Sequence, residues 1–476
     1  MALVWNIGTT WWVCNSTVPG GIAAMLANSF LMSIPWMGYY AIRKTGRQNL
    51  AYAALVLFWL CFEYIHLNWQ LSWPWLTLGN VFALYPSWVQ WYEYTGTSGG
   101  SLWILLVNIL VTKLLQAYYG NTQTDTRTVA SAVLVLAVPF LLSFIISSSL
   151  QFPAAQTKNV VVVQPNIDPY EKFEQGTQEK QLGILIRLSE AQLDTNTAAV
   201  IWPETAVNLP NGIEETGIRA YAGLEPVWNF LKRHPQITLL TGIESYRLYN
   251  ENNKTAGARF LPSMNQYYDA FNAAALLDSN GARQFYHKSK LVPGVETLPP
   301  FLKFLDTWFE KFGGTTSGYG SQRERTVLKD PASGLRFAPA ICYESIYGEF
   351  LTAYIRNGAN IITNDGWWAN TPGHKQHMQY ARLRAIEMRR WVLRSANTGI
   401  SCIISPDGRV QDAQPWDTAA AIRLAVTPLN GLTFYVRHGD VISKVAVAGA
   451  ILMMAYAVFA WARRKWAIRK ENSKAV

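Results

Sequence analysis

Leu335-Arg336-Phe337-Ala338-Pro339-Ala340-Ile341-Cys342-Tyr343-Glu344-Ser345 is an apolar run that halts at a cysteine and then turns polar. It is too short for a membrane span and carries no polar residue between Phe337 and Ile341, so it reads as a strand buried on both faces. Strands of that kind occur in sheets covered by helices. Similar runs recur at 159–164, 199–203, 237–243, 272–277, 335–342, 360–364 and 400–405, with helical stretches at 178–194 and 377–391 among them. The alternation predicts an α/β domain of layered sheets with helices outside.

In such folds function collects at strand ends, where loops present polar groups over a rigid sheet. Cys342 ends the quoted strand, Glu204 follows the run at 199–203 within Ile201-Trp202-Pro203-Glu204-Thr205, and Lys288 follows residues 283–287. Together these side chains make a set for covalent acyl transfer. A cysteine with a pKa of about 8.5 is only slightly ionised at neutral pH and needs a base or a cation beside it. Glu204 can take the proton and later return one to the leaving group. Lys288 can hold the charge that grows on the carbonyl oxygen of a tetrahedral intermediate. Tyr343 and Glu344, next to the nucleophile, either shape the site or finish the strand.

The rest of the chain is written for a different solvent. Half of the 476 residues are apolar and 15% are charged, against about a quarter in ordinary globular proteins. No Lys, Arg, Asp or Glu occurs before Arg43. Five segments have the length and apolarity of a spanning helix, at about 22–42, 50–66, 101–118, 129–150 and 441–462. Short loops rich in Lys and Arg stay in the cytoplasm. Arg43, Lys44 and Arg47 therefore place the first loop inside, and Arg463, Arg464, Lys465, Arg469 and Lys470 place the C-terminal tail inside as well. Counting crossings gives a transmembrane bundle over 1–152 with an external Trp-rich loop at 67–100, and an external catalytic domain over 153–440. A last transmembrane helix at 441–462 and a basic cytoplasmic tail at 463–476 follow. Residues 5–14 are too polar for a span and are expected as an interfacial loop.

Ten of the twenty tryptophans precede Trp103, and Trp69, Trp73, Trp75, Trp88 and Trp91 crowd the external loop. They fit an aromatic belt at the bilayer surface, or a mouth through which an acyl chain reaches an external site. Glu63, near the outer end of an apolar span, implies a functional role or a buried hydrogen-bonding position. The net charge of +10 gathers partly in the membrane-flank clusters, and no basic stripe interleaves with aromatics, which argues against a nucleic-acid partner. The scattered Cys14, Cys61, Cys342 and Cys402 make neither a disulfide framework nor a metal pair. His374 and His377 lack the i, i+4 spacing of a zinc-protease helix and read as structural.

Trp202-Pro203-Glu204-Thr205, Lys288 with Leu291-Val292-Pro293, and Ile341-Cys342-Tyr343-Glu344 resemble the three signatures of the nitrilase superfamily. The resemblance implies a four-layer α-β-β-α sandwich, with Glu204, Lys288 and Cys342 as catalytic triad and Glu296 as a second glutamate supporting the lysine. Such a domain, placed externally before a last spanning helix, is similar to the bacterial apolipoprotein N-acyltransferases. Further likeness lies in Val163-Gln164-Pro165-Asn166, Asn364-Asp365-Gly366-Trp367, the stretch from His377 through Gly399, and Arg437-His438-Gly439-Asp440.

That likeness implies a multi-pass protein of the bacterial cytoplasmic (inner) membrane with its catalytic domain on the periplasmic side. Its partners would be a phospholipid acyl donor, a diacylated lipoprotein acceptor and the bilayer, with no metal or organic cofactor. Cys342 would attack a phospholipid ester, hold the acyl chain as a thioester and pass it to the N-terminal amine of a diacylglyceryl-cysteine. Phe173, Asn364 and Trp367 would contact substrate. A membrane-anchored amidase or nitrilase-type hydrolase, using the same triad with water as acceptor, is the alternative. Family members usually have more helices ahead of this start, so roughly two spans are expected to be absent. Phe173 stands where a tryptophan is common, and the loop at 293–296 lacks the usual Phe-Gly.

Overall fold

The computed structural model describes residues 1–476 apart from 153–156, 169–170, 175, 210–211, 282, 306–317, 367–371 and 473–476. Two sheets form the centre. The first joins β1 (Lys158–Gln164), β2 (Thr197–Ile201), β3 (Ile213–Glu214), β4 (Thr238–Tyr249), β5 (Arg259–Leu261), β6 (Gln266–Leu277), β7 (Arg283–His287) and β14 (Ala420–Val426), in the order β14-β1-β2-β4-β6-β5 with β3 beside β4 and β7 beside β6. The second joins β8 (Leu328–Lys329), β9 (Arg336–Ile341), β10 (Ile361–Gly366), β11 (Trp391–Ala396), β12 (Cys402–Ile404) and β13 (Val410–Gln411), in the order β13-β12-β11-β10-β9-β8.

Side-chain alternation along each strand separates the layers. Val161 and Val163 of β1 meet Leu182 and Leu185 of the helix Gln178–Glu190 and Phe230 of the helix Glu225–Arg233. Val160 and Val162 enter the core that also holds Ala338, Ala340 and Leu393 of the second sheet. The helices Gly348–Arg356 and Pro372–Met388 cover that sheet through Leu351, Ile355, Ala381 and Ala385. The result is a four-layer α-β-β-α sandwich.

Several sequence expectations shift. Trp391 was expected to end a helix; the helix stops at Met388 and Trp391 begins β11. No glycine or proline marks that stop. Arg389 turns the chain at φ +48, and its guanidinium reaches Glu93 (2.7 Å), the Gln90 side chain (2.6 Å) and the Pro406 carbonyl (3.1 Å), so tertiary contacts end the helix. β14 escapes the pattern because Ala420-Ala421-Ile422-Arg423-Leu424-Ala425-Val426 fits a helix as well as a strand, and only pairing with β1 makes it one. Residues 5–14, expected as a loop, are helical over Ala2–Thr10 and continue as a 3₁₀ turn over Trp11–Asn15.

Five helices are long and apolar enough to cross a membrane: Val18–Arg43, Gln48–Asn68, Thr97–Tyr119, Thr126–Ser149 and Val441–Lys470. The first is broken between Leu31 and Ile34, where Pro35 removes an N–H from the helical ladder and clashes with the preceding turn. The last runs on through the basic residues expected as a tail, since nothing after Ala462 breaks a helix. Leu134, Leu141 and Phe144 of Thr126–Ser149 lie exposed, an outer face suited to lipid rather than water.

The tryptophans of the Trp-rich loop divide by exposure. Trp69 and Trp88 are partly exposed, but Trp75 and Trp91 are buried with Trp12, Tyr343, Tyr347 and Tyr380 in one core that joins the bundle to the sandwich. A buried polar seam runs beside it. Glu387 accepts from Arg384 (2.8 Å) and from the backbone N of Thr97 at the start of a candidate span (3.1 Å), while Arg384 also donates to the Ile346 carbonyl (2.6 Å). Burial outweighs the attraction of Arg384 and lifts the Glu387 carboxyl to about 7. A group raised in the folded state favours folding while protonated and costs stability as pH climbs through its folded pKa. Losing Arg384 lifts that carboxyl further, so Arg384→Met is expected to cost roughly 3–5 kcal/mol at pH 8, where Glu387 must take up a proton or stay charged and unpaired, and clearly less at pH 6. Thermal unfolding in detergent at the two pH values measures the difference.

Candidate active site

β2 and β7 run in the same direction, because each is related to β6 through antiparallel pairing, directly for β7 and by way of β4 for β2. Glu204 and Lys288, which follow these two strands, therefore emerge at one end of the sheet. After β2 the chain turns sharply: Thr205 has φ +49, an uncommon conformation for a β-branched residue. The turn lies against Gly242 of β4, where a Cβ would fall 2.5 Å from the Glu204 Cα, so only glycine allows this approach.

Lys288 is buried and its ammonium lies 3.1 Å from Glu204 Oε1 and 2.8 Å from Glu296 Oε1. Asn272 of β6 donates its side-chain amide to both carboxylates, at 2.7 and 3.2 Å, and the Val292 N–H holds the other oxygen of Glu296 at 2.8 Å. Burial pushes the Glu204 pKa up, but Lys288, the Asn272 hydrogen bond and Lys172 outweigh it and leave the carboxyl below its usual range. Burial likewise opposes the Lys288 charge; Glu204, Glu296 and Cys342 overturn it and hold the ammonium far above its usual pKa. Glu204 is thus a carboxylate and Lys288 a cation across the physiological range. Two of the three ammonium N–H groups go to the carboxylates, which leaves one donor for a substrate oxygen.

Cys342 follows β9 and opens the 3₁₀ turn Cys342–Ile346. Its φ of +48 is a strained choice for a residue with a side chain, and the turn holds it there. The Cys342 carbonyl accepts from Ser345 Oγ at 2.8 Å and lies 2.9 Å from His377 Nε2. Burial and Arg394 keep His377 far below its usual pKa, so the imidazole is neutral, and the tautomer with the proton on Nε2 makes that bond. Glu344 joins the two halves of the site. Its carboxylate accepts from Tyr286 OH (2.6 Å), the Ser289 and Lys290 N–H groups (2.7 and 3.1 Å) and the Ile341 N–H (2.9 Å). Tyr343 points to the bundle and donates to the Ser72 carbonyl at 2.6 Å.

The structure thus gathers Glu204, Lys288 and Glu296, and sets Cys342 close enough for its charge to bear on Lys288. Phe173 lies half exposed on a loop. Asn364 pairs through its backbone with Ala340 and Arg394, while Trp367 lies outside the described residues. His374 stacks on Trp416 (6.1 Å between ring centroids), and Glu63 accepts from Trp59 Nε1 and the Leu78 N–H, which supports the buried hydrogen-bonding reading. Sequence reasoning missed two residues of the site. Asn272 could have been found, as a polar residue inside an apolar strand. Lys172 could not: it sits in an unremarkable polar stretch, yet it is buried and donates to the Glu204 carbonyl (2.8 Å) and Thr205 Oγ1 (2.7 Å).

The profile of the carbon-nitrogen hydrolase family matches residues 159–428, and that of the apolipoprotein N-acyltransferase N-terminal domain matches residues 1–110. Fold, site and profile together define an enzyme of the carbon-nitrogen hydrolase class, joined here to apolar helices. Among relatives, the apolipoprotein N-acyltransferase of Chlorobaculum tepidum is 31% identical over 94% of this chain and 84% of its own length. That of Azotobacter vinelandii is 28% identical over 87% and 75%, and that of Geobacter metallireducens 26% identical over 92% and 80%. The chain belongs to the apolipoprotein N-acyltransferase family.

Proposed function

We propose that this protein moves an acyl chain from a membrane phospholipid to the N-terminal amine of a diacylglyceryl-cysteine, with Cys342 as nucleophile, Glu204 as base and Lys288 as oxyanion donor. The single observation that carries the reading is the buried Lys288 ammonium held between two carboxylates, in reach of the Cys342 charge, while the nucleophile turn hydrogen-bonds to the bundle through Tyr343 and Ser72. The bundle spans 1–152 and the catalytic domain 153–440, with that domain on the periplasmic side of the inner membrane, as the two basic clusters direct.

In the first half-reaction Glu204 takes the thiol proton, the thiolate attacks the ester carbonyl, and Lys288 holds the oxyanion. The intermediate collapses to a thioester on Cys342, and the lysophospholipid alkoxide leaves with the proton from Glu204. In the second, the amine attacks the thioester, Glu204 accepts its proton, and the thiol is restored. Phe173, Asn364 and Trp367 are proposed to contact substrate, as the family resemblance implies. Purified protein mixed with phospholipid and a diacylated lipopeptide is expected to add the mass of one acyl chain to the peptide. Release of free fatty acid with no gain on the peptide would sink this reading and favour a hydrolase.

Lys172 acts as a positioning residue, since it holds the turn that aims Glu204 and adds a second cation near it. Lys172→Met is expected to slow thioester formation about 10- to 100-fold. A carboxyl depressed in the folded enzyme stays a base until pH falls through its lowered pKa. Losing Lys172 raises that pKa, so the acid limb of the first half-reaction should move upward, while Lys172→Arg keeps it low. Lys288, Glu296 and Asn272 also face Glu204 and remain in both variants. An unmoved acid limb would reduce Lys172 to a purely structural part.

A further inference from the structure

Two cations stand together beside this site and are used by neither half-reaction. Lys290 lies two residues beyond Lys288, with its backbone N–H fixed on Glu344 and its ammonium 3.2 Å from the Leu67 carbonyl and 4.6 Å from the centroid of the Tyr347 ring. Leu67 is in the last turn of the candidate span Gln48–Asn68, so the charge sits where the bundle meets the nucleophile turn. Arg325 donates to Ser289 Oγ at 3.2 Å and packs its guanidinium 3.8 Å over Phe350. Its buried Nε has no hydrogen-bond partner among the described residues.

Neither cation forms an ion pair among the described residues, whereas Lys288 next door has two. Burial and then Arg325 bring the Lys290 pKa down to about 8, with Glu344 opposing. Holding two like charges half-buried with no ion pair among the described residues, and with Glu344 engaged by backbone N–H groups, costs stability that a merely structural pair would avoid. We propose that Lys290 and Arg325 bind the phosphodiester of the phospholipid that donates the acyl chain. An ammonium and a guanidinium side by side suit a phosphate, one as a point charge and one as a planar fork.

Reach supports the assignment. Lys290 lies at most about 7 Å along the chain from Lys288, on a bend whose Ser289 and Lys290 N–H groups share one Glu344 oxygen, and only a handful of bonds separate a glycerolipid's ester carbonyl from its phosphorus. An ester carbonyl held at Lys288 thus brings its own phosphate to Lys290. The neighbouring surroundings are apolar and aromatic, with Tyr343, Tyr347 and Trp75 in one buried cluster and Val292 packed against it.

This inference rests on the acyl-transfer reading, and a two-donor experiment separates their failures. Thioester formation on Cys342 is followed by mass spectrometry in detergent, with phosphatidylglycerol or with the phosphate-free p-nitrophenyl ester of the same acyl chain. In Lys290→Gln, Arg325→Gln and the double variant, KM for phosphatidylglycerol should rise about tenfold or more, as expected for losing a charged hydrogen bond. KM for the phosphate-free ester should not follow, and Lys290→Arg should restore the phospholipid value. The ester reaction also shows that each variant is folded. Parallel losses with both donors would mean that the pair only supports the Lys288 loop, and would overturn the proposal. Inorganic phosphate serves as the third arm: weak competition in the unmodified protein that vanishes in the double variant supports a phosphate site. Tight binding of inorganic phosphate with an unchanged phospholipid KM in the variants would assign a free anion instead. Absence of any thioester with either donor would overturn the acyl-transfer reading and this site with it.

Discussion

Cys342→Ser is expected to abolish acyl transfer to lipopeptide, with a loss of about 10⁴-fold or more. A thiol lies close enough to neutral pH for a carboxylate and a nearby ammonium to ionise it; a serine hydroxyl does not. Glu204 is a weaker base than usual, because Lys288 and its hydrogen bonds hold its carboxyl low. It therefore has still less power to deprotonate an alcohol. The substitution changes one atom, so the strained turn, with the Ser345 and His377 contacts to the backbone carbonyl, should survive. The readout is mass spectrometry of the lipopeptide together with the protein itself: the unmodified protein incubated with donor alone should carry one acyl chain on Cys342. Turnover that persists in the serine variant would sink the thioester mechanism.

Lys288→Met should be nearly as damaging, for two separable reasons. Losing the oxyanion donor alone costs roughly 10²–10³ in rate. Losing the cation also leaves Glu204 and Glu296 buried and bonded to one Asn272 amide with no charge between them. Like charges so placed share a proton, so the base is titrated away as well. The stability consequence has a definite sign. In the variant the carboxylate pair takes a pKa above its unfolded value, so the contribution to stability is full at low pH and is lost as pH rises through the folded pKa. The thermal midpoint of Lys288→Met should therefore climb further from pH 8 to pH 5 than that of the unmodified protein, because the raised Glu387 contributes to both while Glu204 is depressed only in the latter. Equal pH dependence in the two proteins would contradict the cluster drawn here.

The readable parts of this protein are those where local pattern carries the physics. The apolar runs read as strands because a strand covered on both faces has no need of polar residues, and β1, β2, β4, β6, β9 and β10 all appear near their expected places. Spans were legible because a helix in hydrocarbon must be apolar over its whole length. β14 and the end of the helix Pro372–Met388 were illegible, because pairing with β1 and the Arg389 contacts decide them and neither leaves a local trace.

The site divides along the same line. The sequence by itself singled out the groups proposed to carry chemistry, since a cysteine, a glutamate and a lysine at strand ends stand within motifs that resemble the family's signatures. Only the tertiary structure decided their charge states and their surroundings. Whether Lys288 is a cation depends on two carboxylates from separate segments, and whether Glu204 is a base depends on Asn272, Lys288 and the unheralded Lys172. Electrostatic energy in a buried site falls off with distance through space, not along the chain, and so it is set only when the strands have brought these groups together.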